Sequence, residues 1–394
     1  MNHMNLNNKE YDVIIVGAGF SGLYQLICLR DQLGMNCLVV ETGDDVGGTW
    51  YWNRYPGARC DTESHAYSYY FSDELLKEWT WSERYPGHAE IRRYMNFVAD
   101  KFDLKKDILF NHKVTSAQYN EDKICWEITT NNKINFRSKF LITAVGCLSN
   151  ANIPKIKGLE NFKGKYYHTG NWPKNDVSFV GKKVGQIGTG STGIQAVPVI
   201  AEKAMHLTVF QRTANYSIPA RNKPLTENFK KHVKEKFEYY RELLKKTPNG
   251  HPFEISDRLV ADVEKKEIND IYEKAWEKGG LQFRGSFNDL VTNVEANKTA
   301  SDFIKNKINQ TVSNKKFAAI LSDIDHPYAG KRPPIDSNYF ETYNRDNINL
   351  VDLRSNPITH IDEKGIQTEK EHFDLDIIVF ATGYDAMTGP LLNM

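Results

Sequence analysis

The sequence has no excess of charge of either sign: its 394 residues carry 51 Lys and Arg against 50 Asp and Glu, interspersed, for a formal net charge of +1. No long-range field therefore favours nucleic acid or an anionic membrane, and partners have to be sought in sites. Cysteine is scarce. Cys28, Cys37, Cys60, Cys125 and Cys147 are odd in number and scattered, with no CxxC pair and no histidine spacing suited to zinc. This argues against a disulfide framework and a metal site, and fits a reducing, cytoplasmic compartment. Long apolar runs are missing too. The leader MNHMNLNNKE lacks the apolar core of a signal peptide. The most apolar stretch, residues 13–29, is interrupted by Gly17, Gly19, Gly22 and Gln25, whereas a membrane-spanning helix needs about 20 apolar residues. There is no internal repeat and no low-complexity segment.

What is present suffices for packed cores. Hydrophobic residues make up 40% and aromatics 12% of the chain, which reads as globular, with length for two or three domains. Residues 11–16 (YDVIIV) form a short, β-branched, nearly continuous apolar run, the mark of a parallel strand buried on both faces. Gly17, Gly19 and Gly22 follow as GxGxxG, and the spacing of Leu23, Leu26, Ile27 and Leu29 opens a helix behind them. A second strand, residues 37–40, ends in Glu41, and 41 − 22 = 19 residues past the third glycine is where an acid accepts hydrogen bonds from an adenosine ribose. An acid there repels a 2′-phosphate, so the ligand is NAD or FAD. Next comes a loop, residues 47–61, dense in glycine and aromatics. Adjacent Gly47 and Gly48 let backbone approach a ligand, and Trp50, Trp52 and Tyr55 can wall a flat ring system. Asp61 closes the loop as its one acid, either a solvated carboxylate or a functional one. Arg54 and Arg59 are its potential partners or phosphate contacts.

Residues 72–104 read as helices on the sheet, and the segments near 114–119, 126–130 and 134–140 as a small β-meander. They lead into residues 140–146, which read as a further buried strand. A second GxGxxG follows residues 183–187: Gly188, Gly190 and Gly193, with a helix from Ser191 through Ala201 despite Pro198. The next strand, residues 207–210, runs into Gln211 and Arg212, and 212 − 193 = 19 residues again. Here the offset carries a base, which can grip a 2′-phosphate in a bidentate, charge-assisted way. Opposite charges at one offset imply two different dinucleotides, most economically FAD and NADPH. Between the turns, residues 162–173 (FKGKYYHTGNWP) fit neither a helical nor a strand period and read as a loop. From Pro224 to about Val312, Lys, Glu and Asn dominate, with Phe229, Val233, Phe237, Tyr240 and Leu244 at helical spacing, an α-helical insertion. Residues 349–352 and 376–380 read as further strands.

These features together resemble the type I Baeyer–Villiger monooxygenases, a group of FAD- and NADPH-dependent flavoprotein monooxygenases. Phe162, Gly164, His168, Trp172 and Pro173 match that family's fingerprint FxGxxxHxxxW followed by Pro or Asp, and Gly47, Gly48, Trp50, Tyr55, Pro56, Gly57 and Asp61 match its second fingerprint. The sister class of N- and S-oxygenating flavin monooxygenases is similar but usually closes the first fingerprint with another aromatic. The resemblance runs from about Tyr11 to the end and is close to the phenylacetone- and cyclohexanone-oxidising branches.

It implies an α/β fold with two Rossmann-like dinucleotide-binding domains. The divisions it suggests are an FAD domain over 1–147, an NADP domain over 148–223 and 330–383, a helical insertion over 224–329, and a returning FAD segment over 384–394. It implies oxygen insertion beside a ketone carbonyl, with a small ketone and O2 as substrates and neither nucleic acid nor membrane as partner. Asp61 and Arg332 carry over as catalytic residues, the Asp orienting an Arg that supports developing negative charge. Gly17, Gly19, Gly22, Glu41, Gly48, Thr49, Trp50 and Tyr55 carry over as flavin-side contacts. Gly188, Gly190, Ser191, Gly193, Gln195, Arg212, Thr213 and Lys331 do so on the NADP side. His168 and Trp172 resemble parts of a linker that changes conformation, with no proton-transfer step assigned to His168. Family members continue beyond the position of Met394. The expectation is therefore a chain truncated within its returning flavin segment: an impaired dinucleotide-binding fragment, or half of a split enzyme with a second chain supplying the remainder.

Overall fold

A computed structural model describes residues 7–394; the first six residues of the polar leader lie outside the described residues. Two sheets organise the chain. The first contains β1 (Lys9–Val16), β2 (Cys37–Val40), β3 (Ile108–Leu109), β4 (Val114–Asn120), β5 (Cys125–Thr130) and β6 (Asn135–Thr143), in the order β3-β2-β1-β6-β5-β4. Strands β3, β2, β1 and β6 run parallel, and β5 and β4 extend the sheet antiparallel. Parallel strands need helical covers on both faces, which explains why β2 is buried at all four positions.

The second sheet draws on β7 (Lys165–His168), β8 (Lys183–Ile187) and β9 (His206–Gln211). After the short parallel pair β10 (Ile218–Pro219) and β11 (Ile335–Asp336) come β12 (Ile348–Asp352), a three-stranded antiparallel meander of β13 (Ile358–Ile361), β14 (Gly365–Thr368) and β15 (His372–Asp374), and finally β16 (Ile377–Phe380). The order β12-β9-β8-β16-β7 is parallel throughout. The fold is α/β, with two Rossmann-like dinucleotide-binding domains.

Between β10 and β11 lies the helical insertion, with helices Glu227–Glu235, Phe237–Lys246, Lys265–Lys278, Val294–Thr311 and Lys315–Ser322. Side-chain caps begin three of them: Thr226 accepts from Phe229 N, Asn293 from Glu295 N and Ala296 N, and Asn314 from Lys316 N and Phe317 N. Tyr272, Trp276, Phe283, Phe287 and Phe303 form their shared aromatic core, continuous with that of the second sheet.

Three local readings change. The segments 134–140 and 140–146, expected as two strands, share the single strand β6 (Asn135–Thr143), and Phe140 is 57% exposed. Strand β5 pairs with β6 only as far as Ser138, so residues 139–143 have β1 as their single neighbour. The apolar series from Phe229 to Leu244 is two helices, broken at Lys236. Finally, the stretch 162–173 is no mere loop: residues 165–168 are the edge strand β7, paired in parallel with β16.

Candidate active site

The first turn is built by packing constraints. Gly17 holds φ +104°, and a Cβ there would stand 2.6 Å from the carbonyl of Ala144. Gly22 lies in the first turn of helix Phe20–Leu26, so close to Gly17 that a Cβ would meet its carbonyl at 1.8 Å. No side chain fits at either place. Glu41 is buried at the end of β2; its Oε2 accepts from Ala18 N at 2.6 Å and its Oε1 from Gly43 N at 2.7 Å. Burial raises the carboxyl's pKa, while the backbone donors oppose that shift.

Beside this turn opens a cleft of about 540 Å³. It brings together Gly17, Gly19, Glu41, Gly48, Thr49 and Trp50, six of the residues expected on the flavin side. Gly48 (φ +50°) faces Gly19 so closely that a Cβ on it would lie 2.8 Å from the Gly19 Cα. Trp50 is aimed by its indole, which donates to Tyr67 Oη at 2.9 Å. Tyr67 also lines the cleft, and nothing in the sequence singled it out. Gly170 and Asn171, in the turn after β7, reach the same cleft from the second domain.

The second turn repeats the first. Gly188 holds φ +105°, with a would-be Cβ 2.4 Å from Ala381 O, and a Cβ on Gly193 would lie 2.4 Å from Gly188 O. A Cβ on Gly190 would meet nothing within 4 Å. Ser191 begins the helix Ser191–Lys203. Thr189 Oγ1 donates to Thr213 O at 2.9 Å, joining the turn to the end of β9. Arg212, just after β9, and Lys331 are both exposed, and neither is ion-paired to another described residue. Tyr55 and Gln195 meet each other: the Tyr55 hydroxyl donates to Gln195 Oε1 at 2.7 Å.

Asp61 and Arg332 form an ion pair. Arg332 donates from Nε to Asp61 Oδ2 at 2.8 Å and from Nη2 to Oδ1 at 2.7 Å, a bidentate grip across 271 residues of sequence. Burial opposes the guanidinium's charge, but the Asp61 carboxylate outweighs it and the pKa is raised. The result is a fixed cation, 63% exposed in its side chain, held by a carboxylate that is 21% exposed.

His168 is buried and plays a different part. Its Nδ1 accepts from Gly170 N at 2.9 Å, so Nε2 carries the proton and faces Thr382 Oγ1 at 3.3 Å. Burial lowers its pKa, favouring the neutral ring. Trp172 packs against Tyr167 and Phe179. A Cβ on Gly164 would meet Asp376 O at 2.4 Å.

Comparison with known proteins accounts for this arrangement. The family model described as flavin-binding monooxygenase-like matches residues 10–239. The chain belongs to that family. It is 44% identical over 389 residues to the cyclohexanone 1,2-monooxygenase of an Acinetobacter species, and 42% identical over 389 residues to a Baeyer–Villiger monooxygenase of Pseudooceanicola batsensis. Each alignment covers 98% of this chain and 71% of the relative. It is also 41% identical over 393 residues to a phenazine N-monooxygenase of Lysobacter antibioticus, covering 98% and 72% of the two chains. The crystal structure of OTEMO in complex with FAD and NADP matches with a TM-score of 0.95 at 42% identity, over 98% of this chain and 73% of that one. Among the described residues no helix is long and apolar enough to cross a membrane, and no cluster suits a metal ion.

The residues present fit both dinucleotides of such monooxygenases. The first cleft is floored by backbone that leaves no room for side chains, with the acid Glu41 on its lining. The second turn leaves open space over Gly190, and Arg212 follows the next strand exposed.

Proposed function

We propose that this chain catalyses Baeyer–Villiger oxidation. One atom of O2 enters beside a ketone carbonyl to give an ester or lactone, the other leaves as water, and NADPH supplies the two electrons. The observation that carries this reading is the bidentate Asp61–Arg332 pair at the junction of the two dinucleotide-binding domains. When bound, FAD would supply the redox chemistry, that is, hydride acceptance from NADPH and activation of O2.

The chain's own residues bind, orient and stabilise charge. Gly17, Gly19, Gly22, Gly48 and Thr49 give the flavin nucleotide a close backbone floor, with Glu41 at its ribose and Trp50 as a wall. Gly188, Gly190, Ser191 and Gly193 receive the pyrophosphate of NADPH at a helix N-terminus, and Arg212, Thr213 and Lys331 surround its 2′-phosphate. Arg332 is a permanent cation whose donors not engaged by Asp61 are free to meet developing negative charge, and Asp61 fixes its plane before the reaction begins. Five free cysteines support a reducing, cytoplasmic setting. The comparisons lend no support to a second chain.

The test is ketone-dependent NADPH consumption with ester as product. Arg332→Ala is expected to lower ester formation about 10²–10³-fold, the loss typical of removing one preorganised donor, while NADPH still reduces the flavin. Ester formation at the parent rate in Arg332→Ala would remove Arg332 from the chemistry. The similarity to a phenazine N-monooxygenase supports a second reading, N-oxygenation. Offering ketone, sulfide and heteroaromatic amine in competition separates the two by product.

A further inference from the structure

Gln195 stands among the residues expected to touch NADP, yet its side chain is committed elsewhere. The Oε1 atom accepts from the buried Tyr55 hydroxyl at 2.7 Å, and Nε2 donates to the carbonyl of Arg59 at 3.0 Å. The orientation is fixed chemically, because a carbonyl can only accept and so demands the NH2 end. Burial raises the pKa of the Tyr55 hydroxyl, which keeps its proton and remains a donor. Backbone contact tightens the join: Gly57 holds φ +82°, and a Cβ there would stand 2.3 Å from the carbonyl of Gln195 itself.

The segment this amide holds leads directly to the ion pair. Ala58 O accepts from His88 N at 3.0 Å, Cys60 N donates to Pro86 O at 3.0 Å, and the Arg59 guanidinium pairs with Glu83 at 2.9 Å. Residues 58–60 are thus clamped between the 83–88 segment of the first domain and the helix Ser191–Lys203 of the second. The next residue is Asp61, gripped by Arg332. That helix also begins at the glycine turn with the open space over Gly190.

We propose that Gln195 is a positioning residue: through Tyr55 and the Arg59 carbonyl it ties the segment carrying Asp61 to the helix that ends the second dinucleotide turn, and so sets the Asp61–Arg332 pairing. It is not a cofactor contact. The link to turnover rests on the Baeyer–Villiger reading; the structural link does not.

The experiment uses the full chain with FAD and two variants. Gln195→Leu removes both hydrogen bonds at similar volume, and Tyr55→Phe removes one. Amide hydrogen exchange at residues 58–60 is expected to quicken about tenfold in Gln195→Leu and less in Tyr55→Phe, the loss of one or two net hydrogen bonds. The Kd for NADP+, titrated without substrate, is expected to stay within about threefold of the parent. With ketone present, ester formed per NADPH consumed should fall severalfold while KM for NADPH holds. An NADP+ Kd raised about tenfold or more with exchange unchanged would make Gln195 a cofactor contact and overturn the proposal. Unchanged exchange with unchanged coupling would overturn it as well. If Gln195→Leu does not fold, Tyr55→Phe decides by the same readings. If the parent makes no ester, the function proposed above fails while exchange and NADP+ affinity still judge Gln195.

Discussion

The two glycine turns hold their backbones almost identically and differ in what faces them. Gly17 N donates to Val40 O at 2.9 Å and Gly188 N to Phe210 O at 3.0 Å; Gly19 and Gly190 start their helices at φ −83° and −81°. In both, the first and third glycines are fixed by the chain's own packing, against Ala144 and Gly17 in one and Ala381 and Gly188 in the other. The middle glycines differ. Gly19 has Gly48 against it, because the loop after β2 folds back as a second wall, while Gly190 looks into open space. The strand ends differ as well: Glu41 is buried and satisfied by two backbone amides, and Arg212 is exposed and has no ion-pair partner among the described residues. A GxGxxG pattern therefore specifies strand–turn–helix packing, and ligand identity is read one strand later.

The largest expected effect attacks the packing shared by both turns. Gly22→Ala drives a methyl to 1.8 Å from Gly17 O, and we expect protein without bound FAD, destabilised by more than about 4 kcal/mol. Gly193→Ala, at 2.4 Å from Gly188 O, should injure the second domain in the same way. Gly190→Ala should melt within about 0.5 kcal/mol of the parent and lose affinity for NADPH alone. Flavin content, thermal denaturation and NADP+ titration check the set; yellow, parent-like Gly22→Ala protein would break the comparison. A smaller effect sharpens the strand-end difference. Arg212→Glu should lower the preference for NADPH over NADH about 10–100-fold, the worth of about 1.5–3 kcal/mol in charge-assisted hydrogen bonds. An unchanged ratio of kcat/KM values would show that Arg212 does not read the phosphate.

The same contrast explains which features were legible in the sequence. Both turns, their following helices and the charged offsets are local: the apolar run, the glycine spacing and the residue after the next strand lie within one βαβ unit. Strand β7 was invisible because its period is imperfect and its partner β16 lies more than two hundred residues on. Lys165 pairs with Ile377, and His168 with Phe380. The Asp61–Arg332 pair was placed by family resemblance, since no local pattern links residues so distant. The meander β13–β15, strand by strand only three or four residues long, gave no periodic signal. The side-chain partners of Gln195 were illegible for a related reason: it stands two residues past the third glycine of a nucleotide motif, while its amide bonds a residue 140 positions earlier.

Buried acids extend the comparison between the domains and supply its smallest test. Glu41 in the first has two backbone donors. Asp336, on β11 of the second, accepts from Ser217 Oγ at 2.5 Å and from Tyr339 N at 3.0 Å. Burial pushes the Asp336 carboxyl up to about 6, from an ordinary 3.8. Across that interval the folded chain keeps a proton that the unfolded chain has released, so stability falls as pH rises through it and the full loss is present above it. The interval corresponds to roughly 3 kcal/mol at most. Asp336→Asn cannot ionise, and its amide can still accept from Tyr339 N while donating to Ser217 Oγ. We expect Asp336→Asn to flatten the melting profile between pH 4 and about 6 and to be more stable than the parent at neutral pH, by about 1–2 kcal/mol once hydrogen-bond losses are included. A parent profile that stays flat over this range, or an Asn variant that keeps the parent's slope, would place the titrating group elsewhere. Because Asp336 sits in the strand just after Arg332, the profile should be measured beside ketone-dependent NADPH consumption. A stability change that leaves turnover intact would show that this acid supports the second domain's frame without entering its chemistry.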